Sequence, residues 1–255
     1  MLRDGPATAA LSGDGGLGIV VATEAMDMAI AKARACGVGT VTTTCHDHVG
    51  SAGKYVRMAL REHFVGIAFS GRSSSPSYPA EASPQGTIQG SPPLAFGTPA
   101  DADHPDFLLD FSSGLRWHEE IFALYPEVYF RGIGLSHVAN ILSGTLGGQM
   151  LPRFDRRNLE FTGANQSGFF TAIDIGHFVP VEAFEQDVGQ LMGAVSRMTP
   201  FPGYDHADLP GGPEWRRERA YSAGVPISRR AADALETLAG EFGLTAPWLV
   251  EPPGY

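Results

Sequence analysis

Apolar residues recur at three- and four-residue spacing along IVVATEAMDMAIAKARAC, residues 19–36. Val20, Ala22, Met26, Ala29, Ile30 and Ala33 would share one face of a helix, and Gly37 is placed to stop it. The period then changes. GVGTVTTTC, residues 37–45, is β-branched and bounded by glycine, which predicts a strand. A second helix is expected from about Gly50 to Glu62, with Tyr55, Met58 and Ala59 on one face, followed by a strand over FVGIAFS, residues 64–70. Residues 71–105 are rich in Ser, Pro and Gly and predict a long ordered loop. PDFLLDFSS (105–113) reads as a short apolar strand and GLSHVANILSGTLGG (134–148) as a helix of small and apolar residues closing on glycine. GFFTAIDIGHF (168–178) reads as a strand of alternating character, and residues 180–198 and 228–243 as two amphipathic helices. Strands and helices interleave throughout, which predicts an α/β fold. With no internal repeat and no clean linker, residues 1–255 read as a single unit.

Composition narrows the picture. The chain has 255 residues, 43% hydrophobic and 18% charged, enough apolar material for a core and too little charge for disorder. A net charge of −10 repels phosphate backbones, so nucleic acid is not an expected partner. No run of about 18 apolar residues exists, so no membrane span is expected. MLRDGPATAALSGDGG does not read as a signal peptide. Cys36 and Cys45 are too few for a disulfide framework, which points to a reducing cytoplasm.

GDGGLG, residues 13–18, satisfies the dinucleotide-binding pattern G-x-G-x-x-G. That fingerprint needs a strand before it and an acidic residue about 20 positions later. Here GPATAALS makes a poor strand, and ACGVGTVTTTC offers no acid. The expected reading is a glycine-rich turn leading into a helix.

TTTCHDHVGSAGKYVRMAL, residues 42–60, is a better carrier of chemistry. A strand runs into a polar turn holding His46 and His48, and a helix begins near Gly50. Catalytic groups are often placed at strand ends, where a rigid scaffold aims a side chain. Histidine titrates near neutrality and suits proton donation to a carbonyl or imine. H-x-H also resembles a metal pair, but acidic or cysteine ligands at useful spacing are thin nearby, and no metal site is expected.

The passage from GLGIVVATEAMDMAIAKARACGVGTVTTTCHDHVGSAGKYVRMALREHF to VGIAFS resembles the malate/L-lactate dehydrogenase family of NAD(P)-dependent 2-oxoacid reductases. This family includes malate, sulfolactate and ureidoglycolate dehydrogenases and cyclic imino-acid reductases. Five further stretches match its motifs in order: SPQGTIQGSPPLAFGTPA, FLLDFSSG, FRGIGLSHVANILSGTLGG, GFFTAIDIGHF and LPGGPEWRRERAYSAGVPI. The resemblance covers most of residues 15–243. It implies a mixed-sheet, non-Rossmann NAD(P)-binding fold of the sulfolactate dehydrogenase type, with the match of GDGGLG to the dinucleotide pattern accidental. The cofactor-binding part would occupy about 15–115, and a substrate and dimerisation part about 116–255.

The resemblance also implies roles. His48 falls where several members place a catalytic acid/base. Asp110, Ser112 and Ser113 would hydrogen-bond the ribose or phosphate of NAD or NADP. Arg131 would sit near phosphate or carboxylate. Ser91 and Pro93 would shape the nicotinamide side of the cleft, and Pro210, Gly211 and Gly212 would bring a backbone turn against the cofactor. A small-molecule substrate, a homodimer and a cytoplasmic location are expected.

Two departures from the family pattern stand out. The family's N-terminal helical section, with its S-H-G and substrate arginine, has no counterpart before Gly15, where Arg3 is the sole basic group. Between Ser113 and Arg131 only LRWHEEIFALYPEVYF remains of a longer family stretch. A 2-oxo acid needs a cation for its carboxylate, so Arg72, Arg116 or Arg131 must serve. The alternative is a degenerate, non-catalytic paralogue, or a truncated gene product, acting as a binding or assembly partner.

Overall fold

The computed structural model describes residues 1–72, 83–84, 91–114, 116–149, 151 and 163–249. These fall into two compact units, Met1–Pro213 and Glu214–Tyr255. The first is built on a seven-stranded mixed sheet of order β1-β2-β3-β7-β4-β5-β6. Its strands are β1 (Arg3–Asp4), β2 (Thr8–Ser12), β3 (Val38–His46), β4 (Phe64–Gly71), β5 (Pro93–Thr98), β6 (Phe107–Ser112) and β7 (Gln166–Asp174). Among the described residues only β2 and β3 pair in parallel, joined through helix α1 (Gly18–Cys36), and the other pairings are antiparallel. The expected α/β class and mixed sheet are therefore present.

One face of the sheet is covered by α1 and α2 (Ala52–Leu60). The alanine periodicity of α1 is what lets it lie close. Ala22, Ala25, Met26, Ala29 and Ala33 are fully buried against β3 and β7, while Val20 turns outward and Val21 inward. From the sheet, Val41, Ala68, Ala95, Leu108 and Phe170 complete this core. Tyr55 of α2 is wholly buried and meets Phe170 edge-on at 5.2 Å. Burial pushes its phenol up to about 12.

The opposite face carries a smaller core of Phe69, Leu94 and Ala139, with Ile67, Phe96, Phe111 and Phe169 around it. It is met by α4 (Pro126–Asn140), which follows the short α3 (Glu119–Leu124) and runs into a π-helical turn, Ile141–Thr145. Within residues 116–130 the aromatic side chains form a cluster here. Trp117 lies 4.7 Å from Phe122, and Tyr129 lies 5.1 Å from Trp117. The later helices are α5 (Val181–Ser196), α6 (Gly212–Ala220) and, in the second unit, α7 (Arg229–Glu241).

Three expectations need correcting. TAALS, dismissed as a poor strand, forms β2, because five residues of ladder with β3 outweigh weak intrinsic propensity. Part of the expected 71–105 loop is a strand, β5. Its Pro93 stands at the first position, where the missing N–H matters least. The helix expected at 134–148 starts at Pro126, a favoured first-turn residue, and ends its α-helical portion at Asn140.

Candidate active site

Antiparallel pairing gathers five strand ends at one edge of the sheet. Gln166 of β7 opposes His46, Ser167 opposes Gly71, and Pro93 of β5 opposes Ser112. A cavity of about 250 Å³ opens there. His48, Arg72, Ser91 and Pro93, all candidates from the sequence, line it together with Ser70, Gly71, Pro92 and Gln166.

The two histidines have different fates, separated by a break in register of β3 between Thr43 and His46. Cys45 adopts a left-handed φ of 58° at this point. His46 is fully buried. Its Nδ1 bonds the Asp47 carbonyl at 2.7 Å and its Nε2 the Thr43 hydroxyl at 2.8 Å, so both nitrogens are used by the fold. Burial holds its imidazole below the ordinary 6.5, although the Asp47 carbonyl and carboxylate oppose this. His48 is exposed to the cavity, and its Nδ1 accepts the Gly50 N–H at 2.8 Å. In the neutral ring the proton then sits on Nε2, the nitrogen left for a ligand. The turn is anchored from below by the Tyr55 hydroxyl, which donates to the Val49 carbonyl at 2.5 Å.

GDGGLG holds the same turn. Gly13 and Gly15 donate to the carbonyls of Thr44 and Cys45 at 2.8 and 2.9 Å, and Asp47 donates to Gly16 at 3.1 Å. A Cβ on Gly18 would stand 2.0 Å from the Asp47 carbonyl and 2.7 Å from that of His48. The glycines of the dinucleotide pattern thus admit the protein's own histidine turn to the start of α1. The turn reading holds, and the preceding strand is present after all.

The remaining sequence candidates divide. Ser91 and Ser112 hydrogen-bond each other through their hydroxyls beside the cavity. Asp110 accepts from Ser51 Oγ at 2.5 Å, at the start of α2. Ser113 is buried, and its hydroxyl accepts from Ser136 at 2.8 Å and donates to the Pro92 carbonyl at 3.1 Å. Arg116 and Arg131 are exposed, the first beside the aromatic cluster and the second on α4; neither is among the described residues lining the cavity. Pro210 accepts the Leu108 N–H of edge strand β6 at 3.0 Å. A Cβ on Gly211 would meet the Asp106 carbonyl at 2.1 Å, so the close approach it permits is to that strand. Gly212 opens helix α6.

Ser70, Gln166, Asn140 and Ser167 were not singled out from the sequence. Ser70 and Ser167 are brought together by the non-local pairing of β4 and β7, Gln166 by that of β7 with β3, and Asn140 by its hydrogen bond to the Arg72 N–H, so no local pattern marks them.

The family model described as malate/L-lactate dehydrogenase matches residues 1–122 and 116–236. A malate dehydrogenase of Pyrococcus horikoshii is 31% identical over 96% of this chain and 77% of its own length. An L-sulfolactate dehydrogenase of Methanocaldococcus jannaschii is 25% identical over 98% and 80%. The alignment with the first spans 287 positions, more than the 255 residues of this chain, so that relative carries residues lacking here. Among solved structures, the P. horikoshii malate dehydrogenase superposes with a TM-score of 0.74 at 27% identity, over 96% of this chain and 76% of that one. The M. jannaschii sulfolactate dehydrogenase shares the fold, with a TM-score of 0.71 at 24% identity, over 96% and 78%. With the family model spanning most of the chain and a relative 31% identical over 96% of it, this protein belongs to the malate/L-lactate dehydrogenase family.

Proposed function

We propose that this protein is an NAD(P)-dependent oxidoreductase that reduces a small 2-oxo acid or cyclic imino acid. One observation carries the reading: His48, with Nδ1 engaged by Gly50 and Nε2 left for chemistry, shares a small cavity with the guanidinium-bearing Arg72. The relatives support the substrate class. They are named for malate, sulfolactate and ureidoglycolate, and one structural neighbour for Δ1-piperideine-2-carboxylate. All four compounds carry an anionic group.

The residues at the strand ends fit a nicotinamide dinucleotide. Pro92 and Pro93 offer an apolar wall for a flat ring, and Ser91, Ser112 and Asp110 lie alongside as polar partners for its amide and ribose. The cofactor, NAD or NADP, would supply the hydride. As the imidazolium, with Nδ1 also protonated and released from the Gly50 N–H, His48 gives its Nε2 proton to the carbonyl oxygen, or to the imine nitrogen, as the neighbouring carbon is reduced, and is left as the neutral ring. Such help is worth roughly 10²–10⁴ in rate. Arg72 binds the carboxylate, where a guanidinium can make two parallel hydrogen bonds. Its charge also draws an anion to a protein whose net charge of −10 would otherwise repel it. A homodimer in the cytoplasm completes the proposal, with the exposed apolar side of α4 as its candidate contact.

Fluorescence titration with NADH and NADPH, followed by turnover on a panel of 2-oxo acids and cyclic imines, tests this. His48→Asn should retain dinucleotide binding and lose turnover roughly 10²–10⁴-fold. No response to either dinucleotide removes the reading. A second reading, a paralogue that keeps the scaffold as a binding partner, is favoured by the compressed stretch where the two family-model matches overlap, residues 116–122. Dinucleotide binding without turnover on any of the panel would support it.

A further inference from the structure

We infer that Asn140 is a positioning residue that sets Arg72 for the substrate's anionic group; this rests on the proposed reductase reading. Asn140 is 2% exposed, at the last α-helical position of α4. Its Oδ1 accepts the backbone N–H of Arg72 at 2.9 Å. Ser167, fully buried on β7, donates its hydroxyl to the Gly71 carbonyl at 3.0 Å from the other side. The Gly71–Arg72 peptide is therefore gripped by two buried side chains as the chain leaves β4.

The grip requires a bare backbone. A Cβ on Gly71 would stand 2.5 Å from Asn140 Oδ1 and 2.8 Å from Ser143 Oγ. Directly after Asn140 the helix widens into the π turn Ile141–Thr145, a distortion common at functional sites. Buried amides and hydroxyls are costly unless hydrogen-bonded. Here two of them hold a segment whose next side chain is an exposed arginine facing a cavity. No carboxylate among the described residues pairs with Arg72. Its charge is thus left for a ligand, and Asn140 fixes the backbone from which the guanidinium reaches. The ligand class is a small carboxylate, the 2-oxo acid itself or its hydroxy product.

Oxalate, a non-reducible mimic, tests the assignment by calorimetry on the full chain. Arg72→Met should weaken oxalate roughly 10- to 100-fold. Asn140→Ala should weaken it about 5-fold, and should add nothing in the Arg72→Met background. In oxo-acid turnover its loss should fall on KM rather than kcat. Additive losses, or wild-type oxalate affinity in Asn140→Ala, overturn the positioning role. Should Asn140→Ala fail to fold in a thermal melt, Ser167→Ala releases the same peptide from its other side; the same several-fold loss supports the role and wild-type affinity overturns it. Dinucleotide fluorescence is read separately. A wild-type protein that binds NADH or NADPH but not oxalate defeats this inference and spares the reductase reading. One that binds oxalate through the Arg72–Asn140 pair but neither dinucleotide does the reverse.

Discussion

The two faces of the sheet are packed on different principles. On the face under α1 and α2, small residues bring backbone against backbone. Gly39 of β3 lies so near α1 that a Cβ would stand 2.0 Å from the Ala29 carbonyl, and Ala22, Ala25, Ala29 and Ala33 of α1 are buried to completion. On the face under α4, the central strand mixes Phe169 with polar Thr171. Thr40 meets Thr171 through their hydroxyls at 3.0 Å, the buried apolar cluster is small, and Leu135, Val138, Ile141 and Leu146 remain exposed. The second face leaves apolar surface in solvent, as a face that acquires a partner would. The cavity lies at the sheet edge where both meet, with His48 held from the first side and Arg72 gripped through Asn140 from the second.

The contrast can be broken most forcefully at Gly39. Gly39→Val should abolish or severely weaken folding, by roughly 3 kcal/mol or more, because neither backbone can retreat. Equilibrium denaturation measures it, and near wild-type stability would mean that the first face is looser than described. Tyr55→Phe removes the hydroxyl that holds Val49 and should cost about 1–2 kcal/mol by urea unfolding. Because Val49 follows His48, turnover should fall further than folding suggests.

His46 gives a pH signature to the first face. Its folded-state pKa lies below the ordinary 6.5, so the unfolded chain takes up the proton first as pH falls. Its contribution is present above 6.5 and is lost as pH drops through the depressed folded value. Melting temperatures should decline over that acid window and decline less in His46→Gln; parallel curves would defeat the assignment. The smallest effect belongs to the second face. Leu146→Ser should change the stability of the monomer by less than about 0.5 kcal/mol. Its readout is sedimentation: a dimer that weakens supports this face as the contact, and one that does not moves the contact elsewhere.

The sequence made the local elements of the first face legible. The 3.6-residue period of residues 19–36, the β-branched run after Gly37 and the strand at 64–70 all correspond to α1, β3 and β4. Four residues chosen for the site, His48, Arg72, Ser91 and Pro93, come together in one cavity. Legibility failed where stability is borrowed from a distant partner. TAALS becomes a strand only through its ladder with β3, and β5 forms between β4 and β6 from residues whose prolines suggest a loop.

What the amino-acid order by itself determined is the period of each segment, the placement of glycines and the presence of two imidazoles one residue apart. Spacing and residue type alone do not distinguish His46 from His48; only the resemblance of the motif that follows singles out the second. The break in β3 and the left-handed Cys45 turn one ring into the core and the other toward the cavity. Likewise, Arg72, Arg116 and Arg131 are equivalent as cations in the chain. Only the antiparallel pairing of β4 with β7, and the buried amide of Asn140, bring the first of them to the histidine. Local periodicity is a property of neighbouring residues, whereas a site is a property of strand ends that meet only after the sheet has closed.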